Sequence, residues 1–165
     1  MPQVQRKVDS SLAYLYKSYA RTVQRTLCTF NIHKELHLVE QPDLSLGAHI
    51  WDCALILSFR LATSLLASAD VVVDLGAGCG LVGGLLANRM NKGSVWLTDT
   101  EQVIEDSTKV NLGLLRQSVG KGVMLDSKVL DWESEDDLGV FGSKEKECLL
   151  VASDVSLSLP IHNSG

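Results

Sequence analysis

Glycines cluster beside a single acid where an apolar run of the sequence ends. The run, Val71 to Leu75, contains Asp74, and the glycines that follow it are Gly76, Gly78, Gly80, Gly83 and Gly84. Glycine has no Cβ, so it lets a chain turn sharply and brings backbone N–H groups close to a ligand. The stretch therefore predicts a ligand-binding turn between a buried strand and a helix. The competing interpretation is a turn that only permits close helix–strand packing.

One interpretation of the turn is a dinucleotide site. Gly78, Gly80 and Gly83 have the spacing G-x-G-x-x-G, and Asp99 follows near the expected distance of about 20 residues. In this register Asp74 lies inside the apolar strand, where a charge without a partner is costly. The dinucleotide interpretation therefore leaves the acid unexplained.

A second register groups the acid with the glycines as D-x-G-x-G-x-G. Its members are Asp74, Gly76, Gly78 and Gly80. The acid then stands at the carboxyl end of the strand and faces the ligand crevice. A carboxylate there attracts a cationic, amino-acid-like ligand and repels a pyrophosphate. S-adenosylmethionine, which carries an ammonium and a sulfonium, fits this register.

Composition limits the kind of protein that can hold this turn. With 165 residues, of which 45% are hydrophobic, the chain is expected to form one domain. It has no apolar window of about 18 residues and no signal-peptide pattern, so we expect an intracellular protein that is not in a membrane. Its four cysteines are far apart in apolar surroundings, which predicts reduced, buried thiols and no metal site. The net charge of −5 and the lack of a basic run do not indicate nucleic-acid binding.

Helical and strand patterns alternate along the chain. Helical spacing of apolar residues predicts helices over residues 10–27, 49–67, 79–91 and 101–119. Alternating or β-branched runs predict a strand or hairpin over 28–41, and strands over 70–78, 93–100, 122–132 and 147–155. Strands separated by helices indicate an α/β fold with a parallel sheet covered on both faces.

The last four predicted strands should pair in the order third, second, first, fourth. Each of them ends at or near an acid, and these acids are Asp74, Asp99, Asp131 and Asp154. Open α/β sheets bind ligands at the carboxyl ends of their strands. We therefore expect the four carboxyl groups to converge on one crevice.

Several separated motifs resemble those of a known family. The segment Val71 to Gly83 resembles motif I of the class I, seven-strand S-adenosylmethionine-dependent methyltransferases. Together with GAHIWDCALILSFRL, VWLTDTEQVIEDSTKVN, VLDWES and LLVASDV it resembles methyltransferase family 16, which is rich in protein-lysine methyltransferases. The resemblance covers residues 29–155. It implies a Rossmann-like parallel sheet behind an N-terminal helical extension, residues 1–28, and before a divergent tail, residues 156–165.

The resemblance also implies roles for particular residues. Trp51 packs at the cofactor pocket, Asp99 accepts hydrogen bonds from the two ribose hydroxyls, and Asp131 with Trp132 holds the adenine. Each has a plainer interpretation. Trp51 could be a core tryptophan, Asp99 could cap the next helix, and Asp131 with Trp132 could be a surface pair at the end of a strand.

The final motif departs from the family pattern. The family has Asp-x-x-Tyr after the fourth strand, whereas this chain has Asp154 and then Leu157 in place of the tyrosine. The class I fold needs three further strands, and the chain ends after the fourth. The expectation is a truncated product that is incomplete at its C-terminus, poorly soluble and of low activity.

The function implied by the resemblance is methyl transfer from S-adenosylmethionine to a neutral lysine amine, which Asp154 would help to orient. Family substrates include chaperones and translation-related proteins, so the resemblance implies a protein partner and a cytoplasmic or nuclear location. Two other classes stay open at this point. One is a non-catalytic module with the methyltransferase fold, and the other is a dinucleotide-binding oxidoreductase.

Overall fold

The fold is described from a computed structural model of the chain. The described residues are 4–6, 17–22, 25–31, 35–41, 44–63, 69–131, 141 and 146–155. For residues 4–31 and 62–63 only the backbone is described. The predicted tail, residues 156–165, and Trp132 lie outside these ranges.

Four parallel strands form the central sheet. They are β5 (Val71–Leu75), β6 (Gly93–Asp99), β7 (Val123–Val129) and β8 (Cys148–Ala152), and they pair in the order β7-β6-β5-β8. This order confirms the predicted one. β5 lies between β6 and β8, and its side chains are buried on both faces, which is why its sequence is a continuous apolar run.

Helices connect the first three of these strands as predicted. α1 (Asp52–Thr63) precedes β5, and α2 (Leu81–Arg89) follows it. After β6, one helical run consists of α3 (Glu101–Val103), a π-helical turn (Ile104–Thr108) and α4 (Lys109–Leu115). α2 packs on β5 and β6, while α4 packs on β7. The apolar side chains of this layer and of the sheet make one continuous core.

A second, antiparallel sheet lies ahead of α1. Its strands are β1 (Val4–Arg6), β2 (Lys17–Thr22), β3 (Arg25–Asn31) and β4 (Glu35–Glu40), in that order. β3 and β4 form the predicted hairpin. β4 also packs on α4, and Leu36 and Leu38 are buried in the same core as the parallel sheet.

The helix predicted over residues 10–27 is wrong where the structure describes it. Residues 17–22 and 25–27 belong to strands β2 and β3. Tyr19, Thr22 and Thr26 favour strands, and β3 finds a full row of hydrogen-bonding partners on β4. Pairing with β4 therefore outweighs the helical spacing of the apolar residues. β3 also runs across the predicted boundary between residues 28 and 29.

Not all of the cysteines are buried, contrary to the sequence-based expectation. Cys79 is buried in the turn after β5, whereas Cys53 and Cys148 are exposed thiols. Cys148 begins β8, a strand whose far edge has no neighbour among the described strands. Apolar neighbours in sequence did not predict burial of Cys148, because most side chains of β8 are at least partly exposed in the described part of the chain.

Candidate functional site

The predicted acids all lie at the carboxyl edge of the parallel sheet. Asp74 is the fourth residue of β5, and Asp99 is the last residue of β6. Asp131 and Asp154 follow the ends of β7 and β8. Because the four strands are parallel, their carboxyl ends share one side of the sheet, as the sequence predicted.

The glycine loop, which we define as residues 76–80, turns the chain from β5 into α2. Gly76, Gly78 and Gly80 have φ angles of 63°, 54° and 83°. These angles lie in the left-handed region, which residues with a side chain rarely adopt. Ala77 N donates to Thr98 O at 2.9 Å, which ties the loop to the end of β6.

Asp99 meets the glycine loop directly. Gly78 N donates to Asp99 Oδ2 at 2.9 Å, and Thr100 N donates to Asp99 Oδ1 at 2.8 Å. The N-cap position of α3 is Thr100, so Asp99 is not the N-cap residue that the plainer interpretation assigned. The structure therefore brings together the two motifs that the sequence placed on neighbouring strands.

Asp74 lies beneath α2 and does not face the crevice. Its side chain is 1% exposed, and Asp74 Oδ2 accepts from Gly83 N at 2.8 Å. Gly83 N belongs to the first turn of α2, whose N–H groups have no partner within the helix. Burial raises the pKa of Asp74 to about 7; the hydrogen bond from Gly83 lowers this pKa, and the charge of Asp99 raises it further. The geometry thus gives Asp74 a role in holding α2 against the sheet.

The segment 46–51 lies beside the glycine loop. A Cβ on Gly78 would be 2.8 Å from Gly47 O, so the two backbones are in close contact. Trp51 Nε1 donates to Leu46 O at 3.1 Å, and Trp51 is 40% exposed. That exposure does not fit a core tryptophan. Contact between Trp51 and a cofactor stays a prediction.

A buried acid supports the same segment, and the sequence did not reveal it. Glu40 is 3% exposed, and Glu40 Oε1 accepts from Ile50 N at 3.0 Å. His49 Nδ1 lies 2.5 Å from the same oxygen, and the His49 ring stands edge-on to Trp51 with a centroid separation of 4.5 Å. The only sequence signal was an acid at the buried phase of the alternating strand β4.

Two hydroxyl residues that reach the glycine loop were also missed. Thr108 Oγ1 donates to Gly78 O at 2.8 Å, and Ser107 Oγ donates to Cys79 Sγ at 3.5 Å. Both residues lie on the π-helical turn. Helical periodicity could not single them out, because a π turn changes the face that these side chains occupy.

The remaining predicted residues make fewer contacts with the glycine loop and Asp99. Leu130 N donates to Asp99 O at 3.0 Å, so Asp131, which follows β7, lies next to the carboxyl end of β6. The side chain of Asp131 is exposed. Asp154 is exposed and has a φ angle of 57°. Trp132, the predicted partner of Asp131, is outside the described residues. The roles of Asp131 and Asp154 stay predictions.

Neither a metal-binding cluster nor a membrane-spanning helix occurs within the described ranges. There, no three His, Cys, Asp or Glu side chains are grouped closely enough to hold a metal ion. No helix among the described residues is both long and apolar enough to cross a lipid bilayer.

Comparison with known proteins identifies the family. Residues 31–158 match the family described as lysine methyltransferase. A second similarity is to a UPF0665 family protein of Schizosaccharomyces pombe, with 34% identity over 76 residues. That match includes 42% of this chain and spans 23% of the relative's length.

The family match, rather than the glycine spacing, decides between the methyltransferase and the dinucleotide interpretations. Gly83, the third glycine of the dinucleotide fingerprint, allows α2 to pack closely on the sheet, since a Cβ there would lie 2.4 Å from Leu97 Cδ2. The parallel sheet, its strand order and the contact of Asp99 with Gly78 agree with the class I methyltransferase architecture. With most of its length matched, the chain belongs to the lysine methyltransferase family, methyltransferase family 16.

Proposed function

We propose that this chain binds S-adenosylmethionine at the carboxyl edge of its parallel sheet and catalyses methyl transfer to a lysine side chain of a protein. The observation that carries the proposal is the 2.9 Å hydrogen bond from Gly78 N to Asp99 Oδ2. It places a carboxylate beside a bare glycine loop at the edge where open α/β sheets bind ligands. Family membership supports methyl transfer as the class of reaction.

The residues at this edge fit a nucleoside bearing an amino-acid chain. Each oxygen of Asp99 accepts one backbone N–H, and an ionised carboxylate has about four acceptor positions, so capacity is left for two ribose hydroxyls. The glycine loop presents backbone without side chains. The exposed ring of Trp51 stands on the segment that contacts Gly78 and offers an apolar surface to a ligand.

The cofactor, when bound, supplies a methyl group attached to a positively charged sulfur. The protein's part is to position the reactants and to keep water away from them. The glycine loop and Asp99 hold one reactant at the ends of β5 and β6. Asp154, exposed at the end of the neighbouring strand β8, attracts a lysine ammonium to the same edge and orients it. The ammonium must lose one proton to water or to a side chain before its neutral nitrogen can accept the methyl group, with S-adenosylhomocysteine as the leaving group.

The substrate is proposed to be a protein, with chaperones and translation-related proteins as the first candidates that the resemblance offers. A second candidate function is a non-catalytic binding module. It is favoured by β8, whose far edge has no partner among the described strands and whose Leu150 is 61% exposed. Exposed strand edges and apolar side chains are surfaces that other chains can cover.

Calorimetry with S-adenosylhomocysteine and with NAD tests the ligand class. We expect binding of the first and none of the second. Asp99→Ala should weaken S-adenosylhomocysteine binding by about 1–3 kcal/mol, because two ribose hydroxyls lose their acceptor. The matched control is Asp126→Ala, since Asp126 Oδ1 accepts from Ser127 N at 2.8 Å in the same local arrangement but on β7. This control should bind like the parent protein.

Transfer of a labelled methyl group from S-adenosylmethionine into proteins of a cell extract tests the reaction. Mass spectrometry of the labelled proteins should locate the methyl group on lysine. Binding of S-adenosylhomocysteine without any transfer would favour the non-catalytic module. NAD binding, or equal S-adenosylhomocysteine affinity in folded Asp99→Ala and parent protein, would contradict the proposed site.

A further inference from the structure

The two hydroxyl residues of the π-helical turn are buried and are bonded to the glycine loop. Thr108 is 0% exposed and Ser107 is 4% exposed. Buried hydroxyl groups are nearly always hydrogen-bonded. Here the partners, Gly78 O and Cys79 Sγ, belong to the loop that the proposed function assigns to the cofactor.

The π-helical turn is a local departure from the helix around it. Lys109 N donates to Ile104 O, five residues earlier, whereas an α-helix pairs residues four apart. Such turns are rare, and they occur frequently at functional sites. The extra residue changes which side chains the helix directs inward, and at this position both inward side chains are hydrogen-bond donors to the loop.

Gly78 is held from three directions. Its N–H donates to Asp99 Oδ2 at 2.9 Å, and its carbonyl accepts from Thr108 Oγ1 at 2.8 Å. Its α-carbon faces Gly47 O, which would be 2.8 Å from a Cβ. The orientation of the peptide groups around Gly78 is therefore set by Asp99, Thr108 and Gly47 together.

We propose that Thr108 is a positioning residue of the cofactor site, acting through the hydrogen bond from its hydroxyl to Gly78 O. The identity of the ligand in this inference rests on the proposed function, whereas the role of Thr108 in holding the glycine loop rests on the geometry. Val103 O lies 3.4 Å from the same hydroxyl. Since a hydroxyl has one proton to donate, the shorter contact to Gly78 is the principal one.

Loss of the hydroxyl leaves the buried Gly78 carbonyl without this donor, so the loop relaxes and its N–H is no longer held towards Asp99. Thr108→Val removes the hydroxyl while keeping the branched shape, and Thr108→Ser keeps the hydroxyl while removing a methyl group. The control is Ser118→Ala, because Ser118 Oγ also donates to a backbone carbonyl at 2.8 Å, that of Leu115. Ser118 lies in the 3-10 turn that follows α4, and its hydroxyl makes no hydrogen bond to the glycine loop.

The experiment measures two quantities for each variant, the dissociation constant for S-adenosylhomocysteine and the hydrogen-exchange rate of the Gly78 amide by NMR. We expect Thr108→Val to raise the dissociation constant about tenfold, which corresponds to about 1.4 kcal/mol. Its Gly78 amide should exchange faster than in the parent after correction for global stability. Thr108→Ser should restore both quantities, and Ser118→Ala should change neither.

Unchanged binding and exchange in Thr108→Val would overturn the inference, as would a Thr108→Ser protein that is as impaired as Thr108→Val. If Thr108→Val does not fold, Thr108→Ala is compared with Thr108→Ser in the same two measurements. A parent protein that does not bind S-adenosylhomocysteine would overturn the proposed function instead. In that case Gly78 exchange alone decides whether Thr108 holds the loop.

Discussion

The side-chain amide of Asn111, on α4, makes two hydrogen bonds with the backbone of Val39 on strand β4. Val39 N donates to Asn111 Oδ1 at 2.6 Å, and Asn111 Nδ2 donates to Val39 O at 3.0 Å. The two residues are 72 positions apart in the chain. A primary amide presents a donor and an acceptor side by side, so it can pair with one backbone position as a neighbouring strand would. Asn111 thereby joins the antiparallel sheet to the helix layer of the parallel one.

We expect Asn111→Ala to lower the free energy of unfolding by about 1–3 kcal/mol, because both polar groups of Val39 lose their partner in a partly buried position. Urea denaturation measures the change. The control is Asn88→Ala, since Asn88 Nδ2 makes a single bond of the same kind, to Ser118 O at 3.0 Å. Its loss of stability should be smaller. Equal losses in the two variants would contradict a role for the paired bonds.

The buried carboxyl of Asp74 should make stability depend on pH. Its pKa is about 7 in the folded protein, compared with the ordinary value of 3.8 for an aspartate side chain. Between these values the unfolded chain releases the Asp74 proton while the folded protein keeps it. The free energy of unfolding should therefore fall as pH rises from about 4 to about 7, by an amount of the order of a few kcal/mol.

Asp74→Asn keeps an oxygen that can accept from Gly83 N and removes the titration. Urea denaturation of the parent and this variant at several pH values isolates the contribution of Asp74. Relative to the variant, the parent should be most stable near pH 4 and should lose that advantage towards pH 7. Parallel stability curves for the two proteins over this interval would show that the Asp74 pKa is not raised. Asp126→Asn, at a partly exposed position, is the control.

Two helical glycines should respond in opposite directions to the same substitution. In Gly83→Ala the new Cβ would lie 2.4 Å from Leu97 Cδ2 and 3.0 Å from Asp74 Oδ2. Crowding in this packed core should cost about 1–3 kcal/mol. In Gly113→Ala no atom lies within 4 Å of the new Cβ. Alanine favours the helix over glycine there by about 0.5–1 kcal/mol.

Thermal melting of the two glycine variants shows whether each substitution stabilises or destabilises the protein. Gly113→Ala should melt above the parent protein and Gly83→Ala below it. A Gly83→Ala protein as stable as the parent would mean that α2 does not pack on β5 and β6 as closely as described.

Much of the α/β layer could be predicted from the sequence because its information is local. The β-branched run at Val71 is buried on both faces, and the glycines after it mark a turn that residues with side chains rarely adopt. Strand and helix patterns alternate clearly enough to predict a parallel sheet, and the separately predicted order β7-β6-β5-β8 is the one that the structure has. Asp99 ends β6 and Gly78 follows the end of the neighbouring strand β5, so that order places both at the same edge of the sheet.

Other features were decided only by tertiary structure, because they depend on partners distant in sequence. Residues 17–22 pair with β3 although their apolar spacing is helical, since backbone pairing outweighs weak local preference. Asp74 was expected to face the ligand, but packing of α2 against the sheet encloses its carboxyl group and gives it Gly83 N as a partner. The hydroxyl of Thr108 reaches Gly78 because a π turn alters the helix locally. Periodicity reports which face of an element is apolar, whereas the partner of a buried polar group depends on which elements the fold brings into contact.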